Sequence, residues 1–295
     1  MLLLSPESFQ DYELIDCGDF EKLERFGDYV LIRPEPQAVW SRKLKTADWE
    51  KKAHSRFVPR SSSSGVWEKL KPMPDRWNIT YHNRHGLKLT CSLALTSFKH
   101  TGIFPEQAVN WDYIFNAVRI LSQQVNEVPR ILNLFAYTGA SSLAARAAGG
   151  AVTHLDSVKQ VVTWANRNME LSHLSNIRWI VEDAMKFVQR EKKRGKKYHG
   201  IILDPPAYGH GTDGRKWKLE EMINEMTSLV FDLLEGHHFL LMNTYSLGFS
   251  SLVMDNLFKA YSPTPYETGE VFLQSTTGFK LPLGVFGRTV INARH

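Results

Sequence analysis

The run Ile131-Leu132-Asn133-Leu134-Phe135-Ala136-Tyr137-Thr138-Gly139-Ala140-Ser141 decides the fold. Its first six residues form a short, almost wholly apolar stretch, the pattern of a strand buried on both faces. Small residues then let the backbone turn tightly and approach a ligand, and the helix expected from Ala140 to Ala148 would present free N–H groups there. A single glycine is equally compatible with a plain structural turn, so the reading depends on what surrounds it.

Upstream, an aromatic-rich helix is expected from Trp111 to Val125. Downstream, strand and helix patterns alternate. Strands are expected over Ala151 to Leu155, Ile177 to Val181, Gly200 to Leu203 and His238 to Asn243. The helices between and after them are Val158 to Leu171, Ala184 to Arg194, Leu219 to Leu234 and Ser251 to Tyr261. Alternation with short connections implies βαβ units and a mainly parallel sheet with helices on both faces. Two last strand patterns, Glu270 to Gln274 and Val285 to Asn292, have no helix between them and predict an antiparallel hairpin at the sheet edge.

The first hundred residues read differently. Tyr29 to Arg33 is a strand candidate closed by Pro34 and Pro36, and Arg76 to Tyr81 with Leu87 to Leu93 forms a hairpin pattern around an Asn/Gly-containing turn. We expect an accessory β-rich domain over residues 1–95 and an α/β domain over residues 96–295. Between Ser41 and Pro72 nine basic residues face three acidic ones, a net of +6 against +5 for the whole chain. Trp40, Trp49, Phe57 and Trp67 are interleaved with those cations. Cations with rings make a nucleic-acid surface, whereas Ser61-Ser62-Ser63-Ser64-Gly65 has the composition of a solvated linker. Both readings stay open at this point.

The 295 residues are 43% hydrophobic and 23% charged, the composition of an ordinary globular protein with room for a large domain and a small one. Leu2-Leu3-Leu4 runs at once into Ser5-Pro6-Glu7, unlike a signal peptide, and no window holds the roughly 18 apolar residues of a membrane span. The two cysteines, Cys17 and Cys91, have no metal-ligand spacing and suit a reducing compartment. His100, His154, His199, His237 and His238 show no ligand spacing either. A cytoplasmic protein without a metal or a membrane partner is expected, as a monomer or homodimer.

In an open parallel sheet, ligands bind beyond the carboxyl ends of the strands where strand order reverses. Here the first α/β strand ends in the glycine turn. The second ends in Asp156-Ser157, where a carboxylate can accept both hydroxyls of a ribose or simply cap the next helix. The third ends in Glu182-Asp183-Ala184, where a carboxylate can take an adenine amine or again serve as a cap. The fourth ends in Asp204-Pro205-Pro206-Ala207-Tyr208. Consecutive prolines withhold two backbone donors and stiffen the exit from the sheet, which aims carbonyls and a carboxylate into the cleft.

With these strand ends in this order, the chain resembles the class I S-adenosylmethionine-dependent methyltransferases that modify large-subunit ribosomal RNA, through its Phe-Ala-Tyr-Thr-Gly and Asp-Pro-Pro motifs. The likeness covers roughly residues 96 to 295. It implies a Rossmann-like sheet with a C-terminal antiparallel hairpin, and S-adenosylmethionine as cofactor with S-adenosylhomocysteine as product. By this resemblance Tyr137, Thr138 and Gly139 surround the methionine part of the cofactor, with Phe135 in the same loop. Asp156 with Ser157 holds the ribose, Asp183 and Ala184 the adenine, and Asp204 lies beside the methyl group. The segment Phe98 to Gln107 resembles the family's Thr-Gly-Phe-Phe segment, which folds over the cofactor and brings Phe104 and Gln107 to it. Here it continues as Pro105-Glu106-Gln107 where relatives have an Asp-Gln-Arg type of ending.

Methylating carbon 5 of cytosine needs a cysteine that first attacks carbon 6. Family members of that kind carry it just after the fifth strand, where this chain reads Asn243-Thr244-Tyr245-Ser246. The expected acceptor is therefore a base nitrogen in RNA. Asp204 and the Pro205 carbonyl would accept the amine's hydrogens, Pro206 would stiffen the turn, and Tyr208 would stack on the base. A protein side chain or small molecule as acceptor remains the alternative, as does a non-catalytic RNA- or cofactor-binding module. Gly209 to Trp217 reads either as a lid over the substrate or as a surface loop.

Overall fold

The structure, a computed structural model, describes residues 1–61, 64–210, 216–245 and 248–291. In chain order its elements are β1 (Leu2–Leu4), β2 (Tyr12–Gly18), β3 (Glu21–Phe26), β4 (Tyr29–Pro34), α1 (Thr46–Lys52), β5 (Ser55–Pro59), β6 (Gly65–Lys69), β7 (Arg76–His82) and β8 (Lys88–Ala94). A short 3-10 turn, Pro105–Gln107, leads into α2 (Ala108–Gln124). Then follow β9 (Arg130–Leu134), α3 (Ala140–Ala147), β10 (Ala151–Asp156), α4 (Lys159–Leu171), β11 (Arg178–Val181), α5 (Ala184–Lys193) and β12 (Tyr198–Leu203). The remainder is β13 (Tyr208–His210), β14 (Lys216–Lys218), α6 (Leu219–Asp232), β15 (Leu234–Thr244), α7 (Ser251–Tyr261), β16 (Tyr266–Gln274) and β17 (Lys280–Thr289). The chain divides into two compact units that are not contiguous in sequence.

One unit comprises Ser5–Ala108 and Phe272–Leu283. Its five-stranded sheet runs in the order β2-β3-β4-β5-β6, and β7 and β8 form a separate antiparallel hairpin, as expected. Leu23, Ile32, Trp49 and Ala53 pack together as an apolar core. The segment from Ser41 to Pro72 is folded into this unit. Trp49 is fully buried and hydrogen-bonds Asp16 through its indole, Trp40 donates to the Cys17 carbonyl, and Trp67 packs edge-on against buried Phe57. Several of the cations are engaged as well: Arg42 pairs with Asp19 and Glu21, Lys69 with Asp75, and Lys43 donates to the Thr277 carbonyl. Trp49 and Phe57 belong to the core, where aromatic burial removes a large apolar area from water, whereas Trp40 and Trp67 remain half-buried. Ser61 to Gly65 corrects the linker reading. Arg60 and Ser61 donate to the Ser64 carbonyl, closing the β5–β6 hairpin, with Ser62 and Ser63 outside the described residues.

The other unit comprises Met1–Leu4, Val109–Val271 and Gly284–His295. Its sheet has the order β1-β16-β17-β15-β12-β9-β10-β11. β9, β10, β11, β12 and β15 are mutually parallel, and β17 enters antiparallel beside β15. The C-terminal hairpin is present, and β1 pairs parallel to β16 outside it, so the edge strand is Leu2–Leu4. A three-residue strand carries too little pattern to be read from sequence.

Period-two alternation sorts the central strands between two helical layers. Leu132 and Leu134 of β9, Ile201 and Leu203 of β12, and Leu240 and Met242 of β15 pack with side chains of α5, α6 and α7. Asn133 turns to the opposite face, where Ser142 of α3 meets it, and Phe239 of β15 packs edge-on against Tyr113 of α2. The chain runs from β9 outward through β10 and β11, then returns to place β12 on the other side of β9. That reversal leaves a crevice at the carboxyl ends of β9 and β12. Among the described residues no helix is long and apolar enough to cross a membrane.

Candidate active site

The turn after β9 is held in an uncommon conformation. Phe135, Tyr137 and Gly139 have φ of +54°, +50° and +91°. For the two aromatic residues this left-handed geometry costs about 1–2 kcal/mol each, and such strain clusters at ligand-binding turns. Backbone bonds enforce it: Ala136 N–H donates to the Leu155 carbonyl at 3.0 Å, and Gly139 N–H to the Ala136 carbonyl at 3.1 Å. A Cβ at Gly139 would stand 3.0 Å from Ala165 Cβ of α4, so both the dihedral and the close approach require glycine.

Beneath the turn lies a buried polar network. Asn133 donates to Ser142 Oγ at 2.9 Å, and that hydroxyl lies 3.0 Å from His154 Nδ1. Burial pushes His154 down to about 3, so the ring is neutral. Asn168 of α4 donates to the carbonyl of buried Thr138 at 2.9 Å.

At the end of β10, Asp156 accepts the Tyr137 N–H at 2.9 Å through one oxygen and the Val158 N–H at 3.0 Å through the other. Burial raises its carboxyl above the ordinary range while those backbone donors oppose the rise. A carboxylate offers about four lone-pair directions. Asp156 therefore ties the β9 turn to β10 and keeps acceptor capacity for a ligand's hydroxyls, with Ser157 next to it. At the end of β11, Glu182 is gripped by both terminal nitrogens of Arg190, at 2.5 and 2.7 Å. Asp183 caps α5 by accepting the Lys186 N–H at 2.9 Å, and Ala184 is buried behind it. Val158 and Val181 stay exposed beside these two strand ends.

At the end of β12, Pro205 is buried while Pro206, Ala207 and Tyr208 are exposed. Asn243 of β15 donates to Asp204 Oδ1 at 3.2 Å. Burial lifts the Asp204 carboxyl to about 6, and the Asn243 hydrogen bond opposes that rise. Trp217 corrects the lid reading. It is 5% exposed, its ring lies 4.8 Å from Phe135, and its indole donates to the Pro206 carbonyl at 2.7 Å. Tyr208 to His210 pairs antiparallel with Lys216 to Lys218, which carries Trp217 back under the turn. Residues 211–215 of the expected lid lie outside the described residues.

The structure thus gathers Phe135, Tyr137, Thr138, Gly139, Asp156, Ser157, Asp183, Ala184, Asp204, Pro205, Pro206 and Tyr208 at the carboxyl ends of β9 to β12. Phe104 and Gln107 belong to the other unit, where Phe104 precedes the 3-10 turn with its ring 5.1 Å from His100, and Gln107 is buried. Sequence reasoning passed over Asn168 and Ser142, and it placed Trp217 in a lid rather than under the turn. Only the alternation that turns Asn133 away from Leu132 and Leu134 hinted that a polar partner waits on that face. Among the described residues no group of three or more His, Cys, Asp or Glu side chains converges as a metal site.

The residues present fit S-adenosylmethionine. A carboxylate with spare acceptor capacity suits a ribose diol, and the exposed valines suit a purine face.

The family model described as conserved hypothetical protein 95 matches residues 93–235. A ribosomal RNA large subunit methyltransferase K/L from Shewanella frigidimarina is 30% identical over 223 residues, 69% of this chain and 30% of that protein. A ribosomal RNA large subunit methyltransferase I from Escherichia coli (strain HS) is 28% identical over 130 residues, 42% of this chain and 30% of that protein. The chain therefore spans less than a third of the length of these curated relatives. Among solved structures, a SAM-dependent methyltransferase from Agrobacterium tumefaciens superposes with a TM-score of 0.90 at 33% identity, covering 98% of this chain and 93% of that one. SMU.776, described as a methyltransferase and solved in complex with SAH, shares the fold at a TM-score of 0.71 and 17% identity, over 95% of this chain and 75% of its own. With that motif-bearing crevice and a near full-length relative at this level of identity, the chain belongs to the S-adenosylmethionine-dependent methyltransferases.

Proposed function

We propose that this protein transfers a methyl group from S-adenosylmethionine to a base nitrogen of RNA, with ribosomal RNA as the substrate class, and without a cysteine nucleophile. The observation that carries the acceptor chemistry is the Asp204 turn. Asn243 occupies Asp204 Oδ1, Trp217 occupies the Pro206 carbonyl, and the Leu219 N–H donates to the Ala207 carbonyl at 3.0 Å. Among the described residues nothing is seen to bond Asp204 Oδ2 or the Pro205 carbonyl, a pair of acceptors suited to the hydrogens of an amine or ring N–H.

The cofactor supplies an already activated methyl group on a sulfonium. The chain's own work is alignment and exclusion of water. Tyr137, Thr138 and Gly139 would bound the methionine end, Asp156 with Ser157 the ribose, and Asp183 with Ala184 the adenine. Asp204, as a carboxylate, would orient the acceptor nitrogen and take up the proton it sheds, while half-exposed Tyr208 offers a stacking face. Cysteine chemistry is disfavoured on two grounds. Asn243 to Ser246 holds no thiol, and burial pushes both Cys17 and Cys91 up to about 12, far from the thiolate a nucleophile needs.

Two measurements test the reading. Calorimetry with S-adenosylmethionine should show binding, and none at roughly millimolar ligand would remove the cofactor assignment. Asp204→Ala should abolish methyl transfer to unmodified large-subunit ribosomal RNA while cofactor affinity stays within a few-fold. Full activity would reject the role of Asp204, and an unchanged RNA modification profile in cells lacking the protein would move the acceptor to a protein or small molecule.

A further inference from the structure

Asp204 is one end of a chain of amides. Asn243 Nδ2 donates to Asp204 Oδ1 at 3.2 Å, and Asn243 Oδ1 in turn accepts from Asn110 Nδ2 at 3.4 Å. Asn110 lies in the first turn of α2 and is fully buried; Asn243, on β15, is 2% exposed. An amide has two faces of opposite character, and nothing in its shape alone decides which end meets a carboxylate. Flipped, Asn243 would point its oxygen at Asp204, oxygen against oxygen. The bond from Asn110 fixes the orientation by claiming that oxygen. The backbone of β17 closes the pocket from the other side. At Gly284 a Cβ would lie 3.0 Å from the Thr244 carbonyl and 3.4 Å from Asn243 Nδ2, so glycine is what lets the strand pass without displacing the amide.

We infer that Asn110 and Asn243 are positioning residues that hold Asp204 in its acceptor-facing rotamer and in its charged state. The inference rests on the proposed methyl-transfer reading for its purpose, while its geometry is independent of it. A neutral relay suits this place. A cation there would hold Asp204 ionised but would also occupy the oxygens an acceptor needs, whereas an amide N–H stabilises the charge through one oxygen and leaves the other open. No cation substitutes for it among the described residues. On the hairpin above the turn, Lys218 pairs with Glu221 at 2.7 Å and Lys216 is exposed; on β17, Arg288 pairs with Glu267. Tyr208 of the same turn is half exposed to solvent, and β9 contributes no titratable group next to Asp204.

The test follows the carboxylate directly. With ¹³C-carboxyl-labelled aspartate, the Asp204 resonance is identified by its loss in Asp204→Asn and titrated in the full-length protein. Wild type should titrate near pH 6. In Asn243→Leu, which removes the donor at similar volume, the midpoint should rise by about one pH unit, the scale of one hydrogen bond to a carboxylate. Asn110→Leu should move it the same way by less, because the amide remains but is free to turn. Asn243→Ser, which keeps a donor in a smaller side chain, should restore part of the shift and covers the case in which the leucine variant fails to fold. An unchanged midpoint in Asn243→Leu or, if that variant does not fold, a midpoint in Asn243→Ser and Asn110→Leu equal to wild type overturns the relay. Calorimetry with S-adenosylmethionine on the same samples separates the two ideas: lost binding in wild type would sink the methyl-transfer reading and leave the titration result standing.

Discussion

Replacing Trp217 separates a packed anchor from a mobile cover. The side chain is 5% exposed, contacts the Phe135 ring at 4.8 Å and donates its only N–H to the Pro206 carbonyl at 2.7 Å. Trp217→Phe keeps a ring but loses that hydrogen bond, and because Pro206 is exposed, water can satisfy the carbonyl. The expected cost is about 1 kcal/mol. Trp217→Ala also empties the ring's place in the core beside Leu219 and Ile223, and truncations of this size cost about 3–5 kcal/mol. Urea unfolding monitored by circular dichroism should therefore show a small downward shift in midpoint for the phenylalanine variant and a large one for alanine. Both should slow methyl transfer, since the Pro206 carbonyl anchors the turn that presents Asp204. A substrate lid would behave otherwise, with unchanged stability and an effect confined to the acceptor's KM. A Trp217→Ala protein as stable as wild type, within about 0.5 kcal/mol, would refute the anchoring role.

Three more expectations follow from the same geometry. Asp204 is raised from 3.8 to about 6 by burial, so its contribution to stability is fully present below about pH 4 and is lost as pH rises through 6. Asp204→Asn, which does not titrate, should then be more stable than wild type at pH 8 by about 2 kcal/mol, after allowing for solvent at a partly buried group, and should lack the wild type's fall in stability between pH 4 and 7 in denaturant titrations. Gly139→Ala combines a φ of +91° with a 3.0 Å approach to Ala165, so it should lose about 2 kcal/mol of stability and weaken S-adenosylmethionine binding at least tenfold by calorimetry; unchanged affinity would detach the glycine from the cofactor. The Cys17→Ser/Cys91→Ser double variant should retain methyl transfer in a tritium-transfer assay, and complete loss would bring cysteine chemistry back.

Much of the α/β unit was legible because each of its elements announces itself over a short span. Ile131 to Leu134 is apolar without a break, as a strand covered on both faces must be, and the helix expected over Ser251 to Tyr261 is observed with those bounds. The acidic strand ends were legible for the same reason: each sits where one period gives way to the next. The N-terminal region was legible only as β-rich. Its tryptophans and lysines left a nucleic-acid surface and a solvated linker equally open, because sequence adjacency does not tell which ring turns inward. In the fold Trp49 goes to the centre of the core and Arg42 stacks over it at 4.2 Å.

By itself, the sequence determined that a parallel sheet would carry a glycine turn and, at three further strand ends, four carboxylates, because hydrophobic period and turn chemistry are local properties of the chain. Whether each carboxylate is free was decided only in three dimensions. Glu182 is consumed by Arg190, Asp183 caps a helix, Asp156 binds the neighbouring turn, and Asp204 is met by an amide 39 residues further along the chain. Trp217, too, owes its place to a hairpin rather than to its neighbours in sequence. Hydrogen-bond partners distant in sequence leave no periodic trace, so the motif's chemistry could be read from the chain while its orientation and charge state waited for the fold.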